Sequence, residues 1–487
     1  MGRFEKVLLE KNGVDRRKTG YYSTPNFIAS YLTKSLLSLN PDGKLVLDPA
    51  VGQEELLETF FLSGKEIESF DIVDHGEKRF SNFFQKDFIE FYIDKKLSVF
   101  FESEIHTDHD YWIANPPYNC HEIDYIRDNK VRLKKIFNGV GVHNMYSMFL
   151  AAMIDLAKEG AVLGVIISDS FLTATMHSGL RQKILDECSI HQLILCPTDL
   201  FWDQKADVRT SILVLQKGKS YQGKVRVSNR PINSEHLEKI LSENNLDEVG
   251  INEIVLGKSK NANQFIVDVD HDIINLFKYP RVGELYECVT GISTGNDSKY
   301  LSSEPRPGFE VPFYKNPGSR KFITSPDAYL INDYLEEDKK VKDFMVRNKK
   351  LIGSSGITCS SMGLPFSACY LPPNSTFGVN PNIFLPESDL NWMLAYLNSS
   401  LVTYLVRGVL IRSNMVTSGY ISQLPVPQIP DEIKLTLGNL SKDVLDQKLE
   451  VNSAIEKIDE VLFKYLNINS SVVEKIKQFA NNLSRSV

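Results

Sequence analysis

The chain has 487 residues, of which 42% are hydrophobic and 24% charged, and its formal net charge is −7. This composition predicts a folded protein of two or three domains and argues against a largely disordered chain. An acidic chain alone disfavours a nucleic-acid partner, although basic clusters at 15–18, 132–135, 318–321 and 346–350 could line one cleft. The sequence has no transmembrane run, no signal peptide and no C-x-x-C pair, so we expect a reduced cytoplasmic protein without membrane association or metal.

The predicted elements of the first half alternate between helices and strands. Helical patterns occur at 26–39, 54–64, 76–84 and from 145 to the Glu-Gly stop at 159–160. Short apolar runs predict strands within 44–52, 67–74, 111–118, 160–172, 190–197 and 208–218. This alternation is typical of βαβ units around a parallel sheet.

The second half of the chain has a different texture. Short polar segments at 218–265 predict a domain boundary, and 280–430 is rich in Gly, Pro, Ser and Asn. Helical spacing returns at 389–411 and again in the tail. We therefore expect an α/β domain over 1–250, a loop-rich recognition domain over 265–430, and C-terminal helices over 431–487.

The stretch LVLDPAVG indicates a cofactor turn. A strand that ends in Asp48, followed by a glycine-containing turn and a helix, is a place to hold an adenosine cofactor. The stretch lacks G-x-G-x-x-G, which disfavours a nicotinamide or flavin cofactor. The next strand ends in FDIVD, where Asp71 or Asp74 could accept hydrogen bonds from ribose hydroxyls, although a strand-end Asp is also a common helix cap.

The stretch NPPY follows a predicted buried strand and is the more specific motif. Proline fixes its own φ, so the side-chain oxygen of Asn115 and the carbonyl of Pro116 can converge as paired acceptors for a planar amino group. Tyr118 offers a ring on which an extruded base can stack. The alternative is a proline-rich turn with a surface tyrosine.

A series of motifs then resembles a known family. In order they are GYYSTPNFIASYL, LVLDPAVG, FDIVD, KDF, NPPY, GAVLGVIISDSFL and FWDQKADVRTSILVLQKG. They resemble the γ-class, Taq-type, N6-adenine DNA amino-methyltransferases of restriction-modification systems, closely over 20–218 and loosely over 280–465. The resemblance implies a Rossmann-like methyltransferase fold with a seven-stranded, mostly parallel sheet. It also implies a C-terminal mixed α/β target-recognition domain with a helical tail.

The resemblance also implies ligands and site residues. The methyl donor would be S-adenosylmethionine (SAM), and its pocket would comprise Tyr22, Thr24, Pro25, Asp48, Ala50, Gly52, Asp71, Asp87 and Phe88. The flipped adenine would meet Asn115, Pro116, Pro117 and Tyr118, with Phe201, or alternatively Trp202, as the second aromatic wall. Candidates for contacts with DNA phosphates or bases are Lys299, Lys315, Arg320, Lys321 and Arg412.

One motif departs from the family pattern. The family's first motif usually reads D-P-A-C-G-S-G-x-F, whereas this chain has DPAVGQEEL. Gln53, Glu54 and Leu56 replace the small residue, the second glycine and the phenylalanine. A side chain at Glu54 could crowd the cofactor or repel its carboxylate. We interpret the altered turn as a tolerated variant, because the NPPY motif is intact.

Several functions share the NPPY motif. We expect a monomer that methylates double-stranded DNA beside a separate cognate endonuclease, since few residues precede YYSTP to form a nuclease. Enzymes of this motif that act on RNA or on protein glutamine are generally compact, without a large domain after the sheet. N4-cytosine enzymes typically carry Ser where Asn115 stands. A methyltransferase-like protein that only binds DNA is the remaining alternative.

Overall fold

A nine-stranded sheet lies at the centre of the first half of the chain in the computed structural model. The structure describes residues 22–98, 105–118, 124–202, 208–219, 223–257, 263–267, 269–362, 365–411 and 415–483. The chain divides into two compact units, Met1–Asp268 and Val269–Val487.

The strands of the first unit are short and mostly buried. They are β1 (Leu45–Asp48), β2 (Glu66–Asp71), β3 (Asn82–Gln85), β4 (Tyr111–Ala114), β5 (Val162–Ser168), β6 (Cys188–Leu195), β7 (Thr210–Lys217), β8 (Val225–Ser228) and β9 (Asp247–Val249). Their order across the sheet is β3-β2-β1-β4-β5-β7-β6-β8-β9. Only β7 and β9 run antiparallel to their neighbours, so seven strands share one direction.

The predicted α/β fold with a mostly parallel sheet is confirmed, with two differences. The sheet has nine strands rather than seven, because β8 and β9 arise from the polar region that we interpreted as a boundary. The prediction of a helix at 76–84 was wrong, since this stretch leads into β3. Aromatic residues at 80, 83 and 84 match helical spacing, but pairing of β3 with β2 decides the structure, and the rings of Phe70 and Phe84 meet at 5.9 Å.

Helices connect these strands and cover both faces of the sheet. They are α1 (Asn26–Leu39), α2 (Glu58–Leu62), α3 (Phe88–Ser98), α4 (Asp124–Ile136), α5 (Met145–Leu156), α6 (Ser170–Thr173), α7 (Ser178–Glu187), α8 (Ser234–Ser242) and α9 (Ile251–Ile254). A 3-10 turn at Thr175–His177 precedes α7. Sheets with both faces covered have near-continuous apolar strands, as in β5, whose sequence is VLGVIIS.

Side chains of β4 alternate between two separate apolar clusters. Tyr111 and Ile113 join the cluster that contains the buried face of α1, whereas Trp112 and Ala114 join the cluster on the opposite face. This alternation is the period of two expected of a strand. The residue that follows Ala114 therefore continues toward the face covered by α1.

Helix α1 approaches β5 closely at a glycine. A Cβ atom at Gly164 would lie only 2.8 Å from Cδ1 of Leu32 and 3.0 Å from Cδ1 of Leu36. A larger residue at this position would force Leu32 or Leu36 to shift, and both are fully buried. The position of α1, and of the segment that precedes it, is thus fixed against β5.

The second unit contains three small sheets. Its strands are β10 (Glu287–Val289), β11 (Ile292–Ser293), β12 (Leu301–Ser302), β13 (Val311–Tyr314), β14 (Ala328–Leu330), β15 (Met345–Val346), β16 (Gly356–Cys359), β17 (Ala368–Leu371), β18 (Thr376–Phe377) and β19 (Asn382–Phe384). They form the orders β10-β19-β16-β17, β11-β15 and β12-β14-β13-β18. Such short strands explain why the sequence of this region has no clear period.

The helices of the second unit lie mainly toward its C-terminal part. They are α10 (His271–Leu276), α11 (Val282–Leu285), α12 (Asp297–Tyr300), α13 (Tyr334–Lys340), α14 (Glu387–Asn398), α15 (Ser400–Tyr404), α16 (Ser418–Ile421), α17 (Asp431–Leu445), α18 (Val451–Leu466) and α19 (Ser470–Asn482), with a 3-10 turn at Lys349–Leu351 and a π-helical stretch at Leu405–Leu410. The three tail helices pack on α14 and α15. In the described part of the chain, no single helix is long and apolar enough to cross a membrane; Glu387–Asn398 and Ser400–Leu410 together meet that test, but with a 63° bend between them.

Candidate active site

Three strand ends bring the predicted cofactor and base residues to one edge of the sheet. β1 ends at Asp48, β2 ends at Asp71, and Asn115 directly follows β4. These strands are parallel neighbours in the order β2-β1-β4, so their carboxyl ends lie side by side. Open α/β sheets bind ligands outside the carboxyl ends of their strands. This edge is therefore the candidate site.

Asp48 is buried at the end of β1, and only one of its carboxylate oxygens is bonded. Oδ1 accepts a hydrogen bond from the amide of Ala50 at 3.0 Å, whereas Oδ2 is buried and has no hydrogen-bond partner among the described residues. Burial is the main cause that raises the pKa of Asp48 well above its usual range, and the nearby carboxylates of Asp71 and Glu55 raise it further. An unpartnered buried oxygen is costly, so it marks a place where a ligand donor would be favourable.

The turn after Asp48 is tied to β2. Gly52 has a φ of 54°, in the left-handed region that favours glycine, and its amide donates to Oδ2 of Asp71 at 3.0 Å. Oδ1 of Asp71 accepts from the amide of Val73 at 3.0 Å. Nζ of Lys78 donates to the carbonyl of Gly52 at 2.7 Å. No pattern in the sequence indicates a role for Lys78, because a single lysine in a loop resembles any solvated surface charge.

Glu54 lies in the same turn with its carboxylate bonded to the segment 79–81. It accepts hydrogen bonds from the amides of Arg79, Phe80 and Ser81 at 2.6, 3.2 and 3.0 Å, and from Oγ of Ser81 at 2.6 Å. The residue is buried and has a φ of 66°. The carboxylate of Glu54 therefore links the cofactor turn to the loop before β3.

Replacement of Glu54 by glycine is expected to lower the free energy of unfolding by about 2 to 3 kcal/mol. Four donors lose a charged acceptor, and relief of the left-handed backbone offsets only part of that cost. Thermal unfolding of the full chain measures the effect. Glu54→Gln keeps one acceptor oxygen and should fall between the two. A glycine variant as stable as the wild type would show that these bonds contribute nothing.

Asp87 and Phe88 begin α3, but they do not share one environment. Oδ1 of Asp87 accepts from the amides of Ile89 and Glu90 at 2.8 and 3.2 Å, so Asp87 caps the helix, and burial raises its pKa. Phe88 is 1% exposed, and its ring lies 5.1 Å from that of Phe149. The expected contact of Phe88 with the cofactor adenine is thus corrected, because the ring is part of the core.

Ile72 is an apolar side chain at the site that the sequence patterns did not single out. It directly follows Asp71, and 55% of its surface is exposed. Burial of apolar surface lowers the free energy of a complex. The exposed side chain of Ile72 therefore offers a contact surface for an aromatic ligand beside Asp71. A single isoleucine after a strand carries no signal of its own.

The amide group of Asn115 is bonded on both sides. Nδ2 donates to the carbonyl of Tyr22 at 2.8 Å and to Oγ1 of Thr24 at 3.0 Å. Oδ1 accepts from the hydroxyl of Tyr118 at 2.7 Å, and the same hydroxyl lies 3.0 Å from the carbonyl of Ile166. Because both hydrogens of the nitrogen are used, the oxygen is the atom that can serve an incoming donor.

Prolines follow Asn115 directly and also precede α1, the helix beside which the Asn115 amide is bonded. Pro116 is buried and Pro117 is half-buried, and neither has the N–H that would continue the ladder of β4. The carbonyl of Pro25 accepts from the amides of Ile28 and Ala29 at 3.0 and 3.1 Å, which starts α1. The chain therefore turns away from the sheet directly after Asn115.

Three aromatic rings meet beside Asn115. The ring of Tyr22 lies 5.7 Å from those of Tyr118 and Phe201, and Tyr118 and Phe201 are 6.4 Å apart with a 57° tilt. Stacked aromatic rings lie about 3.4 Å apart. A base that stacks between two side-chain rings therefore requires those rings to be parallel and about 7 Å apart. Tyr118 and Phe201 must therefore move apart before a base fits between them. Phe201 is buried in this cluster, whereas Trp202 is 62% exposed.

A polar layer lies behind the aromatic rings. Burial raises the pKa of Tyr118 well above its usual range, so its hydroxyl keeps its proton and remains a donor. The ring of Tyr146 lies 6.4 Å from that of Tyr118, and its hydroxyl bonds to Oγ of Ser170 at 2.6 Å and to Nε2 of His177 at 3.0 Å. Burial lowers the pKa of His177 to about 3, so this histidine is neutral. No sequence motif linked these distant residues.

Comparison with known proteins identifies the family. A family model described as N-6 DNA methylase matches residues 1–281, which is more than half of the chain. The chain belongs to the N-6 DNA methylase family. The type II methyltransferase M.BanIII of Aneurinibacillus aneurinilyticus is 27% identical over 225 residues, which are 40% of this chain and 38% of that protein. The chain thus matches about two fifths of the length of this relative.

Solved structures extend the similarity of this N-6 DNA methylase to both units. The type IIL restriction-modification enzyme MmeI in complex with DNA aligns with a TM-score of 0.58 and 11% identity, over 98% of this chain and 80% of that chain. The DrdV–DNA complex aligns with a TM-score of 0.54 and 11% identity, over 88% of this chain and 57% of that chain. At such low identity the similarity shows the fold alone.

Three of the predicted DNA-binding residues lie at the surface of the second unit of this N-6 DNA methylase. Nζ of Lys299 donates to the hydroxyl of its neighbour Tyr300 at 2.7 Å. Lys315 pairs with Asp297, and Arg320 pairs with Asp327. Exposed pairs of this kind contribute little to stability, so a phosphate can replace the carboxylate at low cost.

The other two predicted DNA-binding residues are placed differently. Lys321 is half-buried, and its ammonium donates to the carbonyl of Asn398 at 3.0 Å. Burial lowers the pKa of Lys321 to about 8. The ammonium is thus bonded within the second unit, and its contact with DNA stays a prediction. Arg412 lies outside the described residues.

Proposed function

We propose that this protein is a site-specific DNA methyltransferase that transfers a methyl group from SAM to N6 of a flipped-out adenine in duplex DNA. The observation that carries the proposal is the oriented amide of Asn115, with its nitrogen occupied and its oxygen beside a cluster of aromatic rings. The proposed setting is the cytoplasm, with the protein acting as a monomer beside a separate restriction endonuclease. Double-stranded DNA is the proposed partner.

The residues at the strand ends fit SAM. The unbonded Oδ2 of Asp48 would accept a hydrogen bond from the ammonium group of the methionine moiety. The carboxylate of Asp71, at the end of the adjacent strand, would bind the ribose hydroxyls, and the exposed side chain of Ile72 would cover the adenine ring. SAM, when bound, supplies an electrophilic methyl group.

The acceptors at the NPPY motif would prepare the target amino group. Adenine N6 is a poor nucleophile, because its lone pair is conjugated into the ring. Oδ1 of Asn115 and the carbonyl of Pro116 would accept its two hydrogens, hold the lone pair toward the methyl group, and stabilise the positive charge that develops on N6. The proton leaves after transfer, so no strong general base is required.

The hydroxyl of Tyr118 can give up its hydrogen bond to Asn115 at a small cost in free energy. Its hydroxyl donates to Oδ1 of Asn115 at 2.7 Å, but the carbonyl of Ile166 lies within hydrogen-bond distance as an alternative acceptor at 3.0 Å. An arriving amino group can therefore take the asparagine oxygen without leaving the buried hydroxyl unpartnered. The ring of Tyr118 would then stack on the base.

Purified protein incubated with methyl-labelled SAM tests the substrate class. We expect the label to appear in double-stranded DNA and to be released by digestion as N6-methyl-2′-deoxyadenosine. We expect no label in ribosomal RNA or on glutamine side chains of proteins. The same assay separates N6-adenine from N4-cytosine transfer, because the two nucleosides differ in mass. Label in RNA or protein and none in DNA would contradict the proposal, and absence of SAM binding by calorimetry would favour a protein that only binds DNA.

A further inference from the structure

The orientation of the Asn115 amide decides whether this residue can accept a hydrogen bond. The oxygen and the NH2 group of an asparagine have nearly the same shape, and a half-turn of the amide exchanges an acceptor for two donors. A flipped Asn115 would present N–H groups to another amino group, and the two would repel. The proposed reaction therefore needs a feature that selects one orientation.

Two acceptors from the segment before α1 select it. The carbonyl of Tyr22 lies 2.8 Å from Nδ2 and can only accept, so a flipped amide would place two oxygens against each other. Oγ1 of Thr24 lies 3.0 Å from the same nitrogen and takes the second hydrogen. Both N–H groups of Asn115 are thus satisfied on the side away from Tyr118.

Thr24 and Asn115 are held in place by the same strand. Thr24 is buried, with 6% of its surface exposed, and lies just before α1, which packs closely on Gly164 of β5. Asn115 directly follows Ala114, which pairs with Val165 of β5. Because adjacent residues of one strand fix both partners, the hydroxyl and the amide have little freedom to move apart.

We propose that Thr24 is a positioning residue: its hydroxyl oxygen, together with the carbonyl of Tyr22, orients the amide of Asn115 so that Oδ1 faces the target amino group. This inference rests on the proposed role of Asn115 in methyl transfer. Thr24 acts through Asn115 and needs no contact with the base. The resemblance to the family assigned Thr24 only to the SAM pocket.

A matched pair of variants separates positioning from cofactor binding. Thr24→Val keeps the shape but removes the acceptor, whereas Thr24→Ser keeps the acceptor. We expect Thr24→Val to lower kcat for double-stranded DNA by about 10- to 100-fold, the order of loss that a misplaced catalytic group causes. The dissociation constant of SAM should change by less than about twofold, and Thr24→Ser should recover most of the rate.

Each alternative has its own outcome. A raised SAM dissociation constant with unchanged kcat would assign Thr24 to the cofactor and overturn the inference. Loss of thermal stability with unchanged kcat would show a merely structural hydroxyl. Wild-type protein that methylates no DNA would refute the proposed function, and a neutron diffraction structure of Thr24→Val, which locates the amide hydrogens, then decides the inference independently. We expect the Asn115 amide to rotate or to lose its single orientation in that variant, and an unchanged amide would refute the positioning role.

Discussion

Replacement of Asn115 by alanine is expected to lower kcat for DNA methylation about 10³-fold, or about 4 kcal/mol in activation free energy. The variant removes an acceptor that we place against the amino group, where charge develops in the transition state. The carbonyl of Pro116 alone would leave one N–H of the target without a partner. Single-turnover transfer from labelled SAM measures the loss without interference from product release.

Binding measurements on the same variant separate chemistry from folding. The dissociation constants of SAM and of duplex DNA should stay within about threefold of the wild type, because we assign Asn115 to the target amino group and not to the cofactor. Tyr118 keeps an acceptor in the carbonyl of Ile166, so thermal stability should fall only slightly. Retained turnover would remove Asn115 from the mechanism, and lost SAM binding would place it in the cofactor pocket.

Replacement of Asp48 by asparagine is expected to raise the dissociation constant of SAM by about 10- to 100-fold. This is the loss expected when a hydrogen bond between charged groups, worth about 1.5 to 3 kcal/mol, is removed. Asparagine can still accept from the amide of Ala50, so the turn should keep its geometry. Isothermal calorimetry at fixed pH measures the change. Asp74→Asn is the matched control, because Asp74 is exposed and bonded to the amide of Gly76.

The raised pKa of Asp48 also predicts a pH dependence. Burial keeps this carboxyl protonated above its usual pKa of 3.8 in the free protein, whereas a bound ammonium favours the carboxylate. SAM binding should therefore release a proton, and affinity should rise with pH until the pKa of the free protein is passed. The test belongs below pH about 7, where the amino group of SAM, with an ordinary pKa of about 7.7, remains charged. A flat affinity in wild type, or the same slope in Asp48→Asn, would contradict this assignment.

The stability of the free protein should change with pH in the opposite sense. Folding raises the pKa of Asp48, so the folded state binds the proton more tightly than the unfolded state. The free energy of unfolding therefore falls as pH rises from 3.8 toward the folded pKa, and this contribution is constant above it. Asp48→Asn removes the titration and should lessen the fall. Thermal unfolding of both proteins across this range provides the comparison.

Local patterns predicted that three of the candidate site residues lie at neighbouring strand ends. Asp48, Asp71 and Asn115 each follow an apolar run, and parallel strands place such ends at one edge of a sheet. The NPPY motif needs no long-range information, because proline fixes the backbone of the residues beside it. These predictions required only the period of the strands and the residues at which they end.

Other features depend on contacts between distant residues and were not predictable in this way. The carboxylate of Glu54 finds its donors about 25 residues away in sequence, so the turn alone suggested an unfavourable charge. Phe88 carries a family motif, yet packing against Phe149 places its ring in the core. The bonds from Asn115 to Tyr22 and Thr24 cross more than 90 residues and follow from the close packing of α1 on β5.

Expression in a host without DNA methylation tests whether this protein methylates adenine in DNA. The DNA is digested to nucleosides for mass spectrometry and sequenced by a single-molecule method that detects modified bases. Wild-type protein should yield N6-methyladenine at one recurring sequence, whereas Asn115→Ala, expressed at the same level, should yield none above background. DNA without N6-methyladenine, or N4-methylcytosine in its place, would contradict the account.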